Sequence, residues 1–400
     1  MRIITRTVFI LSMVSLLADI ASEMLYPVIP VYLKEIGFSV IWIGLLEGVV
    51  NFTAGISKGY FGKRSDEKGV RLPFVKIGYL LSGVSKPLIP LFSAPLWIFF
   101  VRTVDRLGKG VRTAARDALL SQEATRETKA RVFGFHRGMD TTGAAIGPIL
   151  ALVFLYFNPG RYVPLFYYAF IPGVLSFLLI FLLKEKKQAP SSTIRSGNFL
   201  SFFRYWNIAP PEFRKVSAGL LFFALFNSSD IFLLLITRET IGADTIRIGG
   251  AVFTADTITI GAYVFYNLVY AASAYPLGIL ADKIGFRKTL MLGFVLFALV
   301  YGGFALQPSI PVLFGLFFLY GLFSGATEGI IKAWISNLAD KQNTATAIGF
   351  YTSCESVCAL LASTIAGFLW SYMGTTVTFA VPALCAVLVT LYLKFVARPT

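Results

Sequence analysis

The chain carries little charge: Asp, Glu, Lys and Arg make up 14% of its 400 residues, about half the share of a soluble domain. So few solvated groups cannot cover a globule of this mass, which excludes a water-soluble fold and leaves lipid as the missing solvent. Histidine is reduced to His136 and cysteine to Cys354, Cys358 and Cys385. A histidine-based catalytic centre therefore has one candidate with no evident nucleophile beside it, and no His/Cys grouping has metal-ligand spacing. Cys354 and Cys358, one helical turn apart in apolar sequence, read as small buried residues rather than a redox pair. The pattern G-x-x-x-x-G-K-[ST] of a nucleotide-binding loop does not occur, which argues against an ATP-driven pump. No enzymatic activity, cofactor or metal is expected.

Apolar sequence fills the space that charge leaves. The hydrophobic share is 56% and mean hydropathy is +0.72. A bilayer-spanning helix takes about 20 apolar residues. Runs bounded by Gly, Pro or charge fall at 7–33, 41–62, 73–92, 96–120, 130–157 and 162–183, then at 215–237, 257–281, 288–307, 311–338, 343–371 and 375–396. The first run follows Arg2 and Arg6 but outlasts a signal peptide and contains Asp19 and Glu23, so it reads as a span. The expected architecture is all-α and integral to the membrane, with twelve transmembrane helices in two six-helix bundles, 1–184 and 214–400. Between them, 185–213 is a polar, basic linker with Pro190, Ser191, Ser192, Pro210 and Pro211. Its aromatic stretch Asn198–Ile208 suits an interfacial helix.

The net charge of +15 follows topology and does not point to nucleic acid. Basic residues gather in alternate loops: Lys63, Arg64, Lys68 and Arg71; Arg126, Lys129 and Arg131; Lys184, Lys186 and Lys187; Lys283, Arg287 and Lys288. Lys34, Arg161, Arg238 and Arg247 are the exceptions in the intervening loops. The positive-inside rule then places these loops and both termini in the cytoplasm, in a multi-pass protein of the cytoplasmic (inner) membrane.

The two halves are repeats. An offset of 216 sets Asn51 on Asn267, Ser57 on Ser273, Gly62 on Gly278, Asp66 on Asp282, Gly69 on Gly285 and Arg71 on Arg287. An offset of 215 sets Gly134 on Gly349, Phe135 on Phe350 and Asp140 on Glu355. Matches at one offset, in helices of equal rank, indicate a duplicated six-helix unit.

The loop Gly62-Lys-Arg-Ser-Asp66-Glu-Lys-Gly69-Val-Arg71 and its mate Gly278-Ile-Leu-Ala-Asp282-Lys-Ile-Gly285-Phe-Arg287-Lys288 resemble the paired loop 2–3 and loop 8–9 signature of the major facilitator superfamily. The N-terminal copy departs at Glu67 and Val70. The fifth span, Gly134-Phe-His-Arg-Gly-Met-Asp-Thr-Thr-Gly143-Ala-Ala-Ile-Gly147-Pro148, resembles that family's antiporter-type motif, with Ala151 and Leu152 where a closing Gly pair is usual. The resemblance covers the whole chain. It implies two pseudo-symmetric bundles, a loop latch that holds the cytoplasmic side shut, a cavity lined by spans 1, 4, 7 and 10, and a commonly monomeric state. An acidic residue beside a helix N-terminus, with Arg on the same loop, is a physically sound latch.

Ionisable residues inside spans are expensive, about 2.5–3.5 kcal/mol each at a helix centre, and are functional by default. Asp19 and Glu23 share a helix face, and Asp19 lies about 18 Å into the first span. Arg102, Asp105 and Arg106 form a dense group in the fourth. His136 and Asp140 are one turn apart in the fifth, where His136 reads equally as a proton relay or a packing group. Asn227 and Asp230 belong to a polar patch, Phe226-Asn227-Ser228-Ser229-Asp230, that suits either ligand binding or helix packing. Tyr263, Phe265, Tyr266, Tyr270 and Tyr275 make the eighth span aromatic. Lys86 in the third span has no role in this reading.

The function expected is proton-coupled export of a small amphiphilic organic molecule by alternating access. Asp19, Glu23, Asp140, Glu355 and His136 would carry protons. Arg102, Arg106, Asp105, Asn227, Asp230, Tyr26 and Tyr266 would meet the substrate. Gly62, Asp66, Arg71, Gly278, Asp282, Arg287, Lys288, Gly143, Gly147 and Pro148 would serve gating. A proton-driven importer of an organic anion is the nearest alternative, and a lipid-handling or receptor-like protein a more distant one. The expected partners are a small-molecule substrate, protons and the lipid bilayer.

Overall fold

The computed structural model describes residues 3–185, 198–242, 246–248, 251–253, 255–306 and 308–395. Arg2, Lys186, Lys187, Pro190, Ser191 and Ser192 lie outside the described residues. In the N-terminal half, α1 (Arg6–Leu25) starts at Thr5, whose hydroxyl accepts from the Val8 amide at 3.2 Å. It stops before Pro27, and α2 (Val28–Glu35) completes the first span. Then come α3 (Val40–Lys68), α4 (Leu72–Leu88), α5 (Pro95–Gln122), α6 (Lys129–Phe157) and α7 (Val163–Leu179).

After the linker come α8 (Tyr205–Ile208) and α9 (Pro211–Ala224), and α10 (Ile231–Ile241) follows the polar patch that interrupts the seventh span. A two-stranded antiparallel ribbon, β1 (Ile246–Ile248) with β2 (Ala251–Phe253), leads into α11 (Ala255–Ile284). The chain closes with α12 (Phe286–Ala305), α13 (Ile310–Leu338) and α14 (Thr344–Phe395). Gly374, at φ +83°, breaks α14 into two spans. The repeat mates Gly69 and Gly285 both have positive φ, +63° and +93°, which lets each short loop reverse the chain where a Cβ would be strained.

These elements make twelve spans in two six-helix bundles, as expected. Among the described residues, seven helices are individually long and apolar enough to cross a bilayer. Among the others, α5 is crowded with Arg102, Asp105, Arg106, Lys109, Arg112, Arg116 and Asp117, and the seventh span is divided between α9 and α10. Apolar side chains such as Leu96, Phe100, Tyr156, Leu178 and Leu299 point outward, the arrangement that a lipid solvent permits.

Within the bundles α1 packs on α6, α4 and α3 on α5, α11 on α13, and α12 on α14. Across them the main pairs are α3 with α14 and α6 with α11. Residues 199–208 of the linker form helical turns at that seam. Phe202 and Tyr205 are buried, with Phe202 against Gly59, while Phe199, Leu200, Phe203 and Ile208 stay exposed. Lys63 donates to Ser201 Oγ at 2.7 Å.

Candidate functional site

A cavity of about 350 Å³ lies between the bundles. The N-terminal bundle lines it with Asp19 and Glu23 of α1, Lys58 of α3, Lys109, Arg112 and Arg116 of α5, and Arg137 and Asp140 of α6. The C-terminal bundle contributes Asp230, Tyr263, Tyr266 and Tyr270, then Glu328 and Lys332 of α13 and Glu355 of α14. One wall thus holds five cations and three carboxylates, and the other one cation and three carboxylates. The cavity is bipolar.

Glycine places the carboxylates of α1. A Cβ on Gly143 would overlap the Leu16 carbonyl and approach Asp19 Cβ, and one on Gly147 would meet the Met24 amide at 2.7 Å. Because α6 presents glycine there, α1 lies directly on it, and the carboxyl of Asp19 comes within hydrogen-bond reach of Asp140. Pro148, next in the motif, is buried inside α6.

Arg137 is the hub between the bundles. Its Nη1 meets Asp140 Oδ2 at 2.7 Å, its Nη2 meets Glu328 Oε2 at 2.6 Å, and its Nε donates to the Tyr270 hydroxyl at 2.7 Å. A second crossing runs through Asp117, which pairs with Arg116 at 2.8 Å on its own helix and with Lys332 at 3.0 Å on α13. Lys58 donates to Ser356 Oγ at 3.3 Å. On the C-terminal wall Asp230 accepts from Tyr320 at 2.6 Å and Tyr266 at 3.3 Å, and Glu355 from Tyr351 at 3.4 Å.

The structure therefore gathers Asp19, Glu23, Asp140, Glu355, Asp230 and Tyr266 around one space. His136 is buried beside it and faces Ser12 of α1 at 3.4 Å. Asn227 lines a neighbouring pocket of about 260 Å³ with Leu220, Phe223 and Phe323, reached past Glu328, Lys332 and Glu355. Tyr26, Arg102, Asp105 and Arg106 are elsewhere, in a narrow crevice inside the N-terminal bundle. Sequence reasoning passed over Glu328, Lys332, Lys58 and Asp117. Glu328 and Lys332, four apart in an otherwise apolar tenth span, carried the same signal that drew attention to Asp19 and Glu23.

The seam is shut on the face that carries the basic loops. Asp66 Oδ2 accepts from the Thr346 amide at 2.7 Å and its hydroxyl at 2.9 Å, at the start of α14. Its Oδ1 holds Arg71 at 2.8 Å. Asp282 accepts from the amides of Ala130 at 3.0 Å and Arg131 at 3.2 Å, at the start of α6, and pairs with Arg131 Nε at 2.6 Å. Each carboxylate thus caps the N-terminus of a helix in the opposite bundle, where the helix dipole favours it. The two are not identical. Among the described residues Arg287 makes no ion pair with Asp282, and Lys288 follows it into α12. Gly62 lies against the Ala345 carbonyl and Gly278 against that of Ala130, so the contacts repeat at the sequence offset.

The profile of the major facilitator superfamily matches residues 11–263 and 250–400. The chain belongs to the major facilitator superfamily. Among relatives in this superfamily, an uncharacterized MFS-type transporter of Methanocaldococcus jannaschii is 32% identical over 395 residues, covering 99% of this chain and 96% of that protein. The quinolone resistance protein NorA of Staphylococcus aureus is 24% identical over 188 residues, 47% of each chain. Two solved structures share the MFS fold along almost the whole length. The E. coli fucose:proton symporter FucP aligns with a TM-score of 0.80 at 13% identity, covering 100% of both chains. The human organic anion transporter MFSD10 aligns with a TM-score of 0.75 at 15% identity, covering 97% of this chain and 99% of that one. The protein is a multi-pass membrane transporter of the MFS type.

Proposed function

We propose that this transporter couples proton movement to the passage of a small polar solute bearing both a negative and a positive group, by alternating access, as a monomer. The observation that carries the reading is the bipolar cavity, with the facing carboxyls of Asp19 and Asp140 set in its cationic wall. Two carboxyls that close share a proton, because like charges oppose simultaneous ionisation. Lys109 and Arg112 suit the solute's anionic group. Asp230 and Glu355, approached by tyrosine hydroxyls, suit its cationic one. The basic face is assigned to the cytoplasm of the cytoplasmic membrane, with both termini on that side.

The sign of proton movement follows from the charge that docks. An ammonium beside the carboxyls favours their ionised form and releases a proton, which is exchange. A carboxylate docking on Lys109 and Arg112 weakens their hold on the carboxyls and draws a proton in, which is symport. The test is a panel of cations, anions and zwitterions added to purified protein in weakly buffered detergent. A pH step with zwitterions, abolished in Asp19→Asn/Asp140→Asn, supports the reading. Binding with no pH step in the unaltered protein overturns the proton coupling.

Export of an amphiphilic molecule is the second reading. The apolar side of the second pocket, Leu220, Phe223 and Phe323 beside Glu328 and Glu355, favours it, and a quinolone resistance protein, NorA, is among the relatives. Loss of transport in Phe223→Asp for amphiphiles alone would select this reading.

A further inference from the structure

Ser353 of α14 spends its hydroxyl on another helix. A Ser or Thr inside a helix commonly bonds back to the carbonyl four residues earlier, and its neighbours do so: Thr352 donates to the Ile348 carbonyl and Ser356 to that of Thr352, each at 2.8 Å. Ser353 Oγ instead donates to the Gly55 carbonyl of α3 at 2.8 Å and accepts from the Gly59 amide at 2.9 Å. Ser353 is 0% exposed. Gly55 and Gly59 are four apart, so this carbonyl and this amide are the two ends of one turn of the α3 ladder. A hydroxyl of the C-terminal bundle thus bridges one backbone turn of the N-terminal bundle.

Glycine makes the approach possible. A Cβ on Gly55 would lie 2.6 Å from Ser356 Cβ, one on Gly59 would overlap the Phe202 ring, and one on Gly349, a turn before Ser353, would lie 2.6 Å from the Lys58 carbonyl. The backbones of α3 and α14 therefore touch here. The contact lies about 10 Å along α3 from Asp66, beside the central cavity, into which the same two turns send Lys58 and Glu355. The other seam has no counterpart. At the repeat offsets Ser353 corresponds to Gly138 of α6 and Gly55 to Ala271 of α11. A Cβ on Gly138 would lie 3.0 Å from the Ala271 carbonyl, and Gly138 has no hydroxyl to offer.

When the bundles part, each group in the contact has a substitute. The Gly59 amide and the Gly55 carbonyl are placed to bond each other, and the Ser353 hydroxyl turns to the Gly349 carbonyl four residues back. Ser353 then holds one bond in place of two. Opening forfeits about one hydrogen bond and orphans no buried group, whereas a contact that left an amide or carbonyl unpaired would cost more to break.

We propose that Ser353 is a reversible clasp, tying α3 to α14 while the basic face is shut and biasing the protein toward that state by about one hydrogen bond. This rests on the alternating-access part of the proposed function and not on the solute or on proton coupling.

Hydrogen exchange of the purified, detergent-solubilised full chain, followed by mass spectrometry, reads the opening. Two segments report it: 344–350, where Asp66 holds the Thr346 amide, and 129–134, where Asp282 holds those of Ala130 and Arg131 at the other seam. In Ser353→Ala both should exchange about threefold to tenfold faster, while α2 on the opposite face does not. Faster exchange confined to 344–350 would mark Ser353 as local packing within α14 and overturn the proposal, as would equal rates in the two proteins. If neither segment exchanges in either protein, the basic face does not open, and alternating access falls together with the clasp. Should Ser353→Ala fail to fold, Ser353→Cys, whose thiol bonds weakly, supplies the same comparison.

Discussion

The two bundles share a topology and a set of repeated loop motifs, yet their interiors are built differently. Among the described residues, the charged residues that are buried as a whole lie in the N-terminal half, including Lys86, Arg102, Asp105, Arg112, Arg116, Asp117 and Asp140, while the C-terminal half buries the carboxylate of Asp282 at the latch. The C-terminal interior is aromatic: Phe223, Phe294, Phe297, Tyr301, Tyr320 and Phe323 form a continuous set of ring contacts. Of its cavity carboxylates, Asp230 and Glu355 are met by tyrosine hydroxyls and Glu328 by Arg137. Apolar rings need no charged partner, and cores built of such side chains tolerate repacking when their volume is kept. Buried ions need oriented partners, so each one constrains its neighbours. The halves have therefore divided the labour: an ionic wall with fixed geometry faces an aromatic wall that can adapt.

The comparison breaks most severely at Asp117, the acid that neutralises both Arg116 and Lys332 across the seam. Asp117→Asn leaves buried cations unmatched and should cost about 3–5 kcal/mol, read as a fall in Tm and loss of monodisperse protein on gel filtration. Repacking the other interior should be gentler. Phe297→Leu keeps most of the buried apolar surface but leaves a small cavity and should cost about 1.5–2.5 kcal/mol, with transport retained. Equal losses in the two variants would mean that the walls do not differ in tolerance.

The repeat mates of the latch give a finer test. Asp66→Asn forfeits an ion pair with Arg71 as well as its helix cap, whereas Asp282→Asn forfeits a cap and a partly exposed pair with Arg131. Each should open the basic face by about 1–2 kcal/mol, with Asp66→Asn the larger. Labelling of single cysteines introduced at the seam would rank them, and a reversed order would show that Arg71 does not reinforce the latch. The smallest effect is expected at Arg137→Lys, which keeps the charge but cannot hold Asp140, Glu328 and Tyr270 together. Transport should fall about tenfold with Tm little changed.

Much of this was legible in the residues. Low charge with long apolar runs required a membrane fold, the offset of about 216 residues required a duplication, and the pattern of Gly62, Asp66, Gly278 and Asp282 pointed to the loops that close the seam. Asp19, Glu23, Asp140 and Glu355 stood out because each is costly in lipid. Arg102, Asp105 and Arg106 stood out for the same reason, and cost alone could not tell a cavity residue from one in a separate crevice. Both sets occupy α1, α5 or their neighbours at similar depth. Only the rotation of each helix about its axis distinguishes them.

What the sequence determined by itself is the kind of solvent, the number of spans, the repeat and the inventory of buried charge, because each depends on composition or on local periodicity. Tertiary structure decided which charges meet. The glycines of α6 let α1 approach until Asp19 reaches Asp140, Arg137 bridges the bundles to Glu328, and Lys86 joins Asp105 on the adjoining helix. Such pairings depend on helix rotation and close approach between segments remote in the chain, and a Coulomb interaction that falls with distance has no meaning until packing sets that distance.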